Sequence, residues 1–207
     1  MTEVELMSAL NGGIELAFES AIAGCDLLGF GEMGIGNTTS ASAIAAALTG
    51  NAPEAVVGCG AGADEACMAR KRSAIERALA LHTDNLQAPL GILRCVGGLE
   101  IAAMCGFCLS AAAHRVPVVT DGFIATAAAA LAVRLSPAAS GYLFASHRSA
   151  EPGHAFFLSL LDQDPLLDLG MRLGEGTGAA LAIKVIQAAV AAFTGMATFA
   201  SAGVSNR

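Results

Sequence analysis

Apolar and polar positions follow a pattern that occurs three times along the 207-residue chain. Each unit opens with a short apolar run, continues with a glycine-rich loop that carries an acidic residue, and ends in an alanine-rich segment of helical character. The apolar runs, which predict strands, cover residues 25–30, 116–120 and 165–169. The alanine-rich segments predict helices over residues 38–48, 124–135 and 177–193.

Further helices are expected between these units, over residues 3–23, 63–81 and 90–113, the last one broken at a glycine pair. Residues 136–149 are expected to end in a polar loop. Strands that alternate with helices form parallel sheets with crossover helices. The pattern therefore predicts an α/β fold, a three-layer, Rossmann-like parallel sheet flanked by Ala-rich helices. Because no low-complexity linker divides the chain, we expect residues 1–207 to form a single domain.

Each of the three loops that follow a predicted strand contains one acidic residue: Glu32, Asp121 or Glu175. In an open parallel sheet, the loops that lead from strands into helices gather at the carboxyl edge, where ligands bind. We therefore expect these three carboxylates to converge on one rim of the sheet.

The loop Gly31–Thr39 joins the first predicted strand to its helix and contains three glycines. Glycines let a ligand approach the backbone closely, and the free amides at the start of the helix favour a phosphate. Thr38 and Thr39 add hydroxyl donors. The loop matches neither the Walker A pattern nor the dinucleotide-binding pattern. Two interpretations stay open here: a phosphate site, or a tight turn before a capped helix.

The loop Leu173–Gly178 places Glu175 between glycines. A partly desolvated carboxylate at a ligand-binding rim can act as a general base. The same carboxylate can instead cap the first turn of the following helix, where negative charge is favourable. The residues alone favour neither role over the other.

The segment His147–His154 is dense in polar groups and holds two histidines and a glutamate. Its spacing matches no H-x-x-x-H or H-E-x-x-H helix, and Pro152 with Gly153 is expected to break any helix. We therefore expect no metal site, and we favour an ordered loop in which Arg148 or Ser149 touches a substrate.

The net charge of −7 disfavours a nucleic-acid partner. The one basic cluster, Arg70-Lys71-Arg72, is by itself typical of a solvated helix face. The acidic start of the chain does not have the pattern of a secretory signal. We accordingly expect a cytoplasmic protein whose six cysteines are reduced. Cys105 and Cys108 lie in an apolar stretch, so core packing is favoured over a redox or metal pair.

The high mean hydropathy of +0.61 raises the possibility of a membrane protein. The most apolar stretch, residues 177–204, is interrupted by Lys184. We therefore favour buried, alanine-rich helices over membrane spans and expect no membrane association.

Four long motifs resemble those of the nicotinate-nucleotide:dimethylbenzimidazole phosphoribosyltransferase family, which acts in cobalamin lower-ligand synthesis. They are residues 31–39 (GEMGIGNTT), 121–127 (DGFIATA), 146–154 (SHRSAEPGH) and 167–180 (LDLGMRLGEGTGAA). The closing residues 196–199 also fit. The resemblance implies transfer of phosphoribose from nicotinate mononucleotide to 5,6-dimethylbenzimidazole, which yields α-ribazole 5′-phosphate and nicotinate without a cofactor.

The resemblance also implies roles for single residues. Glu175 matches the family's catalytic carboxylate, which takes the benzimidazole proton, and Glu32 matches a loop carboxylate that stabilises positive charge on the ribose. Lys71 resembles a basic residue near the phosphate or carboxylate, which changes the interpretation of the basic cluster. Met33 and Leu173 are expected to wall the aromatic base. The full set expected to bind nucleotide or phosphate is Gly34, Gly36, Asn37, Thr38, Lys71, Asp121, Gly122, Ser149 and Arg172.

Members of this family are usually longer, with an N-terminal region that helps to form the benzimidazole pocket. The chain is therefore expected to be a catalytic core that lacks this region, and the family implies a homodimer. One alternative is a truncated, non-catalytic nucleotide-binding module that keeps the phosphate loop. The other is a membrane-embedded helical protein.

Overall fold

A computed structural model describes residues 1–60 and 62–204 of the chain. Over these residues the strands are β1 (Leu28–Phe30), β2 (Val118–Thr120) and β3 (Leu143–Ala145). The α-helices are α1 (Glu3–Ile22), α2 (Asn37–Thr49), α3 (Pro53–Val56), α4 (Glu65–Leu81), α5 (Pro89–Val96), α6 (Leu99–Ala113), α7 (Gly122–Leu135), α8 (Pro152–Leu161) and α9 (Thr177–Gly195). Two 3-10 helices cover Thr83–Asn85 and Pro137–Tyr142.

The three strands form one parallel sheet in the order β1-β2-β3, with Leu28 opposite Val118 and Val118 opposite Leu143. Successive side chains of a strand point to opposite faces. Val118 accordingly joins the main core with α6 and α7, whereas Val119 packs with Ala179 and Ala182 of α9 on the other face. The sheet therefore lies between two helical layers, which confirms the predicted α/β class.

Helix α7 is the centre of the main core. Every residue from Gly122 to Ala132 is buried, and the helix contacts α2, α5, α6 and α8. A helix that is apolar on all sides can be buried on all sides. Its alanines have no side-chain entropy to lose, and they let neighbouring helices approach closely. The alanine-rich composition thus produces a densely packed helical layer over the sheet.

The close packing of α1 against α6 depends on two glycines. A Cβ atom on Gly13 would lie 1.8 Å from the backbone oxygen of Ala103, and one on Gly106 would lie 2.1 Å from that of Leu10. Since real contacts of this kind are much longer, only glycine fits at these two positions. The amphipathic helix predicted at residues 3–23 is confirmed, and a Thr2–Glu5 capping box fixes its start.

The position predicted for the third strand is wrong. The third strand is Leu143–Ala145, inside the segment predicted to end in a polar loop. The apolar run at residues 165–169 contributes one parallel bridge, between Leu167 and His147, next to β3. The backbone amide of Leu166 donates to the oxygen of Ala145 at 3.0 Å, so the run continues the sheet only briefly.

Two further expectations are corrected. Pro152 does not break a helix but begins α8, because proline is tolerated in the first turn, where its missing N–H has no helical partner anyway. The stretch from Thr177 is not a buried helix, since most of α9 is exposed, up to 87% for Phe193. Among the helices in the described residues, α9 alone has the length and apolar composition of a membrane span. Helices of this length and composition also occur in soluble proteins.

The cysteine pair of α6 lies in the core, as predicted. Cys105 and Cys108 are both fully buried. Burial raises the pKa of the Cys105 thiol to about 12, and it raises that of Cys108 well above its usual range. Both thiols therefore remain protonated at neutral pH and behave as small apolar side chains.

Candidate active site

A cleft of about 430 Å³ opens at the carboxyl edge of the sheet. The loops after all three strands contribute to its wall, together with the segments at residues 57–60 and 172–174. Glu32 follows β1, Asp121 follows β2 and His147 follows β3. The predicted convergence is confirmed for Glu32 and Asp121. The third predicted loop reaches the cleft through residues 172–174, whereas Glu175 does not line it.

Glu175 is held at the edge of this cleft through its backbone. Its N–H donates to the backbone oxygen of Glu32 at 3.0 Å. Its φ of +57° is left-handed, and the flanking Gly174 and Gly176 have φ of +80° and +79°. A non-glycine residue in this region has a conformational cost of roughly 1–3 kcal/mol and persists only where its surroundings impose it. The Glu175 residue itself is exposed to solvent.

Asp121 connects β2 to the start of α9. Its side chain is fully buried. One carboxylate oxygen, Oδ2, accepts from the backbone N–H of Gly176 at 2.8 Å, and Oδ1 accepts from that of Ala179 at 3.1 Å. The amides at the start of a helix have no partners within the helix. Asp121 therefore caps α9 from a distant part of the chain. One of the two N–H groups that it binds belongs to Gly176, the residue directly after Glu175.

Glu32 is tied within its own loop. Its Oε2 atom accepts from the backbone N–H of Gly34 and from the side-chain amide of Asn37, the latter at 2.6 Å. Glu32 also lines the cleft. The turn that brings these groups together has left-handed backbone at Gly34 and Gly36, with φ of +81° and +78°. The glycines are required for this backbone path, which leaves a fixed carboxylate facing the cleft.

Cationic side chains approach the cleft from two directions. Lys71 of α4 donates from Nζ to the hydroxyl of Thr38 at 3.2 Å. Arg172 donates to the backbone oxygen of Gly60 at 3.4 Å and lines the cleft. Arg72, by contrast, pairs with Glu65 on the surface of α4. Within the basic cluster, Lys71 thus reaches the glycine loop, whereas Arg72 forms an ion pair on the helix surface.

Two buried histidines stand at the cleft: His147 lines it, and His154 does not. His154 accepts from the backbone N–H of Ser149 at its Nδ1 atom, 3.0 Å away, and its Nε2 atom lies 3.1 Å from the hydroxyl of Thr126. Burial, followed by His147 and Arg148, lowers the pKa of His154 to about 3. Since Nδ1 accepts a hydrogen bond, the neutral ring carries its proton on Nε2.

His147 lies directly beside Asp121. The His147 Nδ1 atom lies 3.6 Å from Asp121 Oδ1 and 2.9 Å from the hydroxyl of Ser146. Burial lowers the pKa of His147, and the nearby Asp121 carboxylate opposes that shift only in part. A Cβ on Gly178 would lie 2.0 Å from His147 Nδ1, so the first turn of α9 packs directly on this ring.

The cleft contains part of the predicted site. The predicted residues that line it are Glu32, Thr38, Asp121, Gly122, Ser149, Arg172 and Leu173. The others stand next to lining residues without lining the cleft themselves: Met33, Gly34, Gly36, Asn37, Lys71 and Glu175. Met33 and Leu173 are 70% and 67% exposed. Their predicted contact with an aromatic base remains a prediction.

One wall of the cleft was missed in the sequence. It consists of Val57, Gly58, Cys59 and Gly60, together with Glu151. Glu151 Oε1 accepts from the backbone N–H of Gly60 at 2.8 Å, which ties this wall to the start of α8. The glycines at alternate positions before Asp64, which caps α4, were the sequence signal from which this wall could have been predicted. The contact with Glu151, 91 positions along the chain, has no local signal in the sequence. Within the ranges that the structure describes, no three His, Cys, Asp or Glu side chains are grouped to hold a metal ion.

These features define a parallel α/β protein with a glycine-rich, carboxylate-bearing ligand site at the carboxyl edge of its sheet. Comparison with known proteins identifies the family. A family model described as "Phosphoribosyltransferase" matches residues 1–204. The nicotinate-nucleotide--dimethylbenzimidazole phosphoribosyltransferase of Mycobacterium tuberculosis is 52% identical over 207 residues, which is 100% of this chain and 57% of that protein. The protein of the same name from Mycobacterium avium is 52% identical over 206 residues and is covered to 59%.

Solved structures agree with these relatives. The crystal structure of CobT from Thermus thermophilus superposes with a TM-score of 0.94 at 47% identity, over 100% of this chain and 62% of that one. A second structure from the same organism, described as a nicotinate-nucleotide-dimethylbenzimidazole phosphoribosyltransferase, gives 0.91 at 48% identity and is covered to 61%. The chain therefore belongs to this phosphoribosyltransferase family, and it spans 57–62% of the length of these relatives.

Proposed function

We propose that this chain carries the phosphoribosyl-transfer site for the reaction of nicotinate mononucleotide with 5,6-dimethylbenzimidazole, which forms α-ribazole 5′-phosphate and nicotinate. The family supports this reaction because the relatives are named for it. The observation that carries the proposal is the position of Glu175. Its backbone is bound to Glu32 on one side and, through Gly176, to Asp121 on the other, at the edge of the cleft.

In this proposal the cleft binds the nucleotide through its phosphate and ribose. Lys71 and Arg172 supply positive charge, and Thr38 supplies a hydroxyl. The first amides of α2, which begins at Asn37, add donors and a positive helix end. Gly122 and Ser149 line the same space from the loops after β2 and β3. These donors surround a space of the size expected for a small ligand.

Glu175 is the proposed general base. One nitrogen of the benzimidazole attacks C1′ of the ribose with its lone pair, and the bond from C1′ to the nicotinate nitrogen breaks. The proton on the other benzimidazole nitrogen passes to the Glu175 carboxylate, so the product is neutral at its base. Positive charge builds on the ribose during the exchange, and the fixed carboxylate of Glu32 is placed to stabilise it.

Met33 and Leu173 are proposed to contact the planar base, since both are exposed apolar side chains next to the two carboxylates. This side of the site is open to solvent and leaves room for a further wall. In the relatives, about two fifths of the length lies outside the part matched here. We infer that this remaining part covers the benzimidazole.

The decisive experiment incubates the protein with both substrates and measures α-ribazole phosphate by chromatography and mass spectrometry. A second sample also contains, as a separate polypeptide, the part of the Thermus thermophilus relative that this chain does not span. We expect product in the second sample. Product in the first sample would show that this chain alone is sufficient for turnover. A folded protein that makes no product in either sample would overturn the proposal.

One observation favours a second function, nucleotide binding without turnover. Glu175, Met33 and Leu173 are all exposed, so the base side of the site is open to water. Calorimetry with nicotinate mononucleotide separates the two functions. Binding without product in both samples supports the second function, and product in either one excludes it.

We further propose a homodimer. Exposed apolar side chains along α9 and just beyond it support a contact surface there, which comprises Leu181, Val185, Val190, Phe193, Met196 and Phe199. Burying such side chains is favourable by roughly 25 cal/mol per Å² of apolar area. Sedimentation analysis should show a dimer, and a monomer at all concentrations would contradict this part of the proposal.

We also propose that the protein is a cytoplasmic enzyme without membrane or nucleic-acid partners. The net charge of −7 supports it, because like charges repel a nucleic acid and an anionic lipid surface. Lys184 within the apolar α9 also supports it. Purification without detergent tests the absence of a membrane partner, and a protein found only in the membrane fraction would contradict it.

A further inference from the structure

The carboxylate of Asp121 is used differently from the other acidic groups at the rim. It stands at the N-cap position of α7 but makes no side-chain hydrogen bond to that helix. Both of its oxygens instead accept from the first turn of α9, at Gly176 and Ala179. A buried carboxylate is unfavourable unless hydrogen bonds and positive charge compensate it. The two amides and the positive end of α9 provide that compensation.

The N–H groups at Gly176 and Ala179 need an external partner. The N–H of Ala180 already bonds to the Gly176 oxygen at 2.8 Å, as in an ordinary helix. Of the earlier amides, that of Thr177 bonds to the Gly174 oxygen at 3.1 Å, and those of Gly176, Gly178 and Ala179 have no backbone partner among the described residues. Asp121 therefore fixes where α9 begins, and with it the direction in which the chain leaves Glu175.

The packing behind Asp121 holds the carboxylate in this arrangement. His147 lies 3.6 Å from Oδ1, and Gly178 leaves no room for a side chain between the ring and the helix. A Cβ on Gly178 would also lie 2.7 Å from Asp121 Oδ1. Because the neighbours on both sides are close, the carboxylate has little freedom to turn towards the cleft.

We propose that Asp121 is a positioning residue: it holds Glu175 at its working place through the first turn of α9 and does not bind the nucleotide itself. This inference rests on the proposed function of Glu175. It assigns Asp121 a task different from the nucleotide contact that the family resemblance implies. Its physical basis is that each carboxylate oxygen accepts from a backbone donor at the start of α9 and that the Asp121 side chain is fully buried.

The first test uses the wild-type protein and needs no turnover. Amide hydrogen exchange followed by NMR reports each N–H of the α9 start separately. The Gly178 N–H has no hydrogen-bond partner among the described residues, and it serves as the reference amide in the same buried turn. The Gly176 and Ala179 amides should exchange much more slowly. If these two amides exchange as fast as Gly178, Asp121 does not hold the helix start and the proposal is overturned.

The second test compares Asp121→Asn with Asp84→Asn, a matched change at an exposed site far from the cleft. Asparagine offers one oxygen and one amide group, so it can satisfy only one of the two N–H donors. In the sample that gives turnover, kcat of Asp121→Asn should fall by roughly a hundredfold, because a displaced reacting group loses alignment. KM for nicotinate mononucleotide should stay close to that of the wild type, and Asp84→Asn should change neither.

A raised KM with unchanged kcat would show that Asp121 contacts the nucleotide, and it would overturn the positioning role. Unchanged kcat and KM would overturn it as well. If Asp121→Asn does not fold, the exchange measurement on the wild-type protein decides the matter. Absence of turnover in the wild type counts against the proposed function, whereas the exchange rates test the positioning role independently.

Discussion

Gly31 and Gly176 approach each other so closely that a Cβ atom on Gly31 would lie 2.0 Å from the backbone nitrogen of Gly176. This contact joins the loop after β1 to the loop that carries Glu175. The neighbouring hydrogen bond from Glu175 N–H to the Glu32 oxygen depends on the same approach. The two glycine-rich loops therefore form one unit, in which the position of each carboxylate depends on the other loop.

Replacing Gly31 by alanine should separate these two loops. The atoms that the new methyl group meets are backbone atoms of Gly176 and Glu175, which cannot rotate away. We expect a loss of about 1–3 kcal/mol in the free energy of unfolding, as for other overpacked sites. Turnover should fall further than stability alone explains, since Glu175 moves. Gly195→Ala is the control, because its Cβ would meet no atom within 4 Å. Equal kcat in the two variants would contradict the prediction.

The packing of α1 against α6 offers a matched pair of adjacent glycines. Gly13→Ala should destabilise the protein by roughly 1–3 kcal/mol, because the new methyl group meets the Ala103 oxygen at 1.8 Å. Gly12→Ala, one position earlier in the same helix, meets no atom within 4 Å. It should stabilise the protein by up to about 1 kcal/mol through helix propensity. Urea unfolding measures both, and the same sign of change for the two variants would disprove this account of the contact.

Acid should destabilise the protein through His154. Its pKa is lowered to about 3 in the folded chain by burial, against an ordinary value of 6.5. The unfolded chain therefore takes up a proton below pH 6.5 that the folded chain does not bind. The contribution of neutral His154 to the free energy of unfolding is fully present above pH 6.5 and is lost as the pH falls towards 3. Between pH 7 and 5 the loss from His154 should be about 2 kcal/mol.

The variant His154→Gln isolates this effect, because glutamine does not titrate and can still reach the Thr126 hydroxyl. Urea unfolding at pH 7 and pH 5 should show a smaller pH-dependent loss in the variant than in the wild type. A residual loss is expected from His147, whose pKa is lowered in the same direction. The same loss in both proteins would rule out His154 as its source.

The helices were predictable because their signals are local. The break between α5 and α6 falls at the predicted glycine pair, and α2 ends at Gly50, whose φ of +72° is the usual left-handed helix stop. The strand β3 was missed for the opposite reason. Like β1 and β2, this strand is only three residues long. Its sequence, Leu-Phe-Ala, is apolar throughout and shows no alternation, so only its pairing with β2 defines it.

The role of Glu175 stays a prediction. The site itself was predictable where the sequence carries a carboxylate in a glycine-rich loop directly after a strand, as at Glu32, which lines the cleft. It was not predictable where a role depends on a distant contact. Glu151 meets the residue 58–60 wall only in the folded chain, and Asp121 finds its amide partners 55 and 58 positions away. The exposure of α9 was also not predictable, because an apolar composition does not show whether the rest of the chain covers a helix or leaves it at the surface.

The most direct test of the account is the variant Glu175→Gln, with Glu76→Gln on the exposed surface of α4 as its control. The amide keeps the shape of the side chain but cannot take the benzimidazole proton. We expect kcat to fall by roughly a hundredfold or more, the usual contribution of a general base. The calorimetric affinity for nicotinate mononucleotide should remain that of the wild type, and Glu76→Gln should behave as the wild type does. A kcat for Glu175→Gln close to the wild-type value would contradict the central claim.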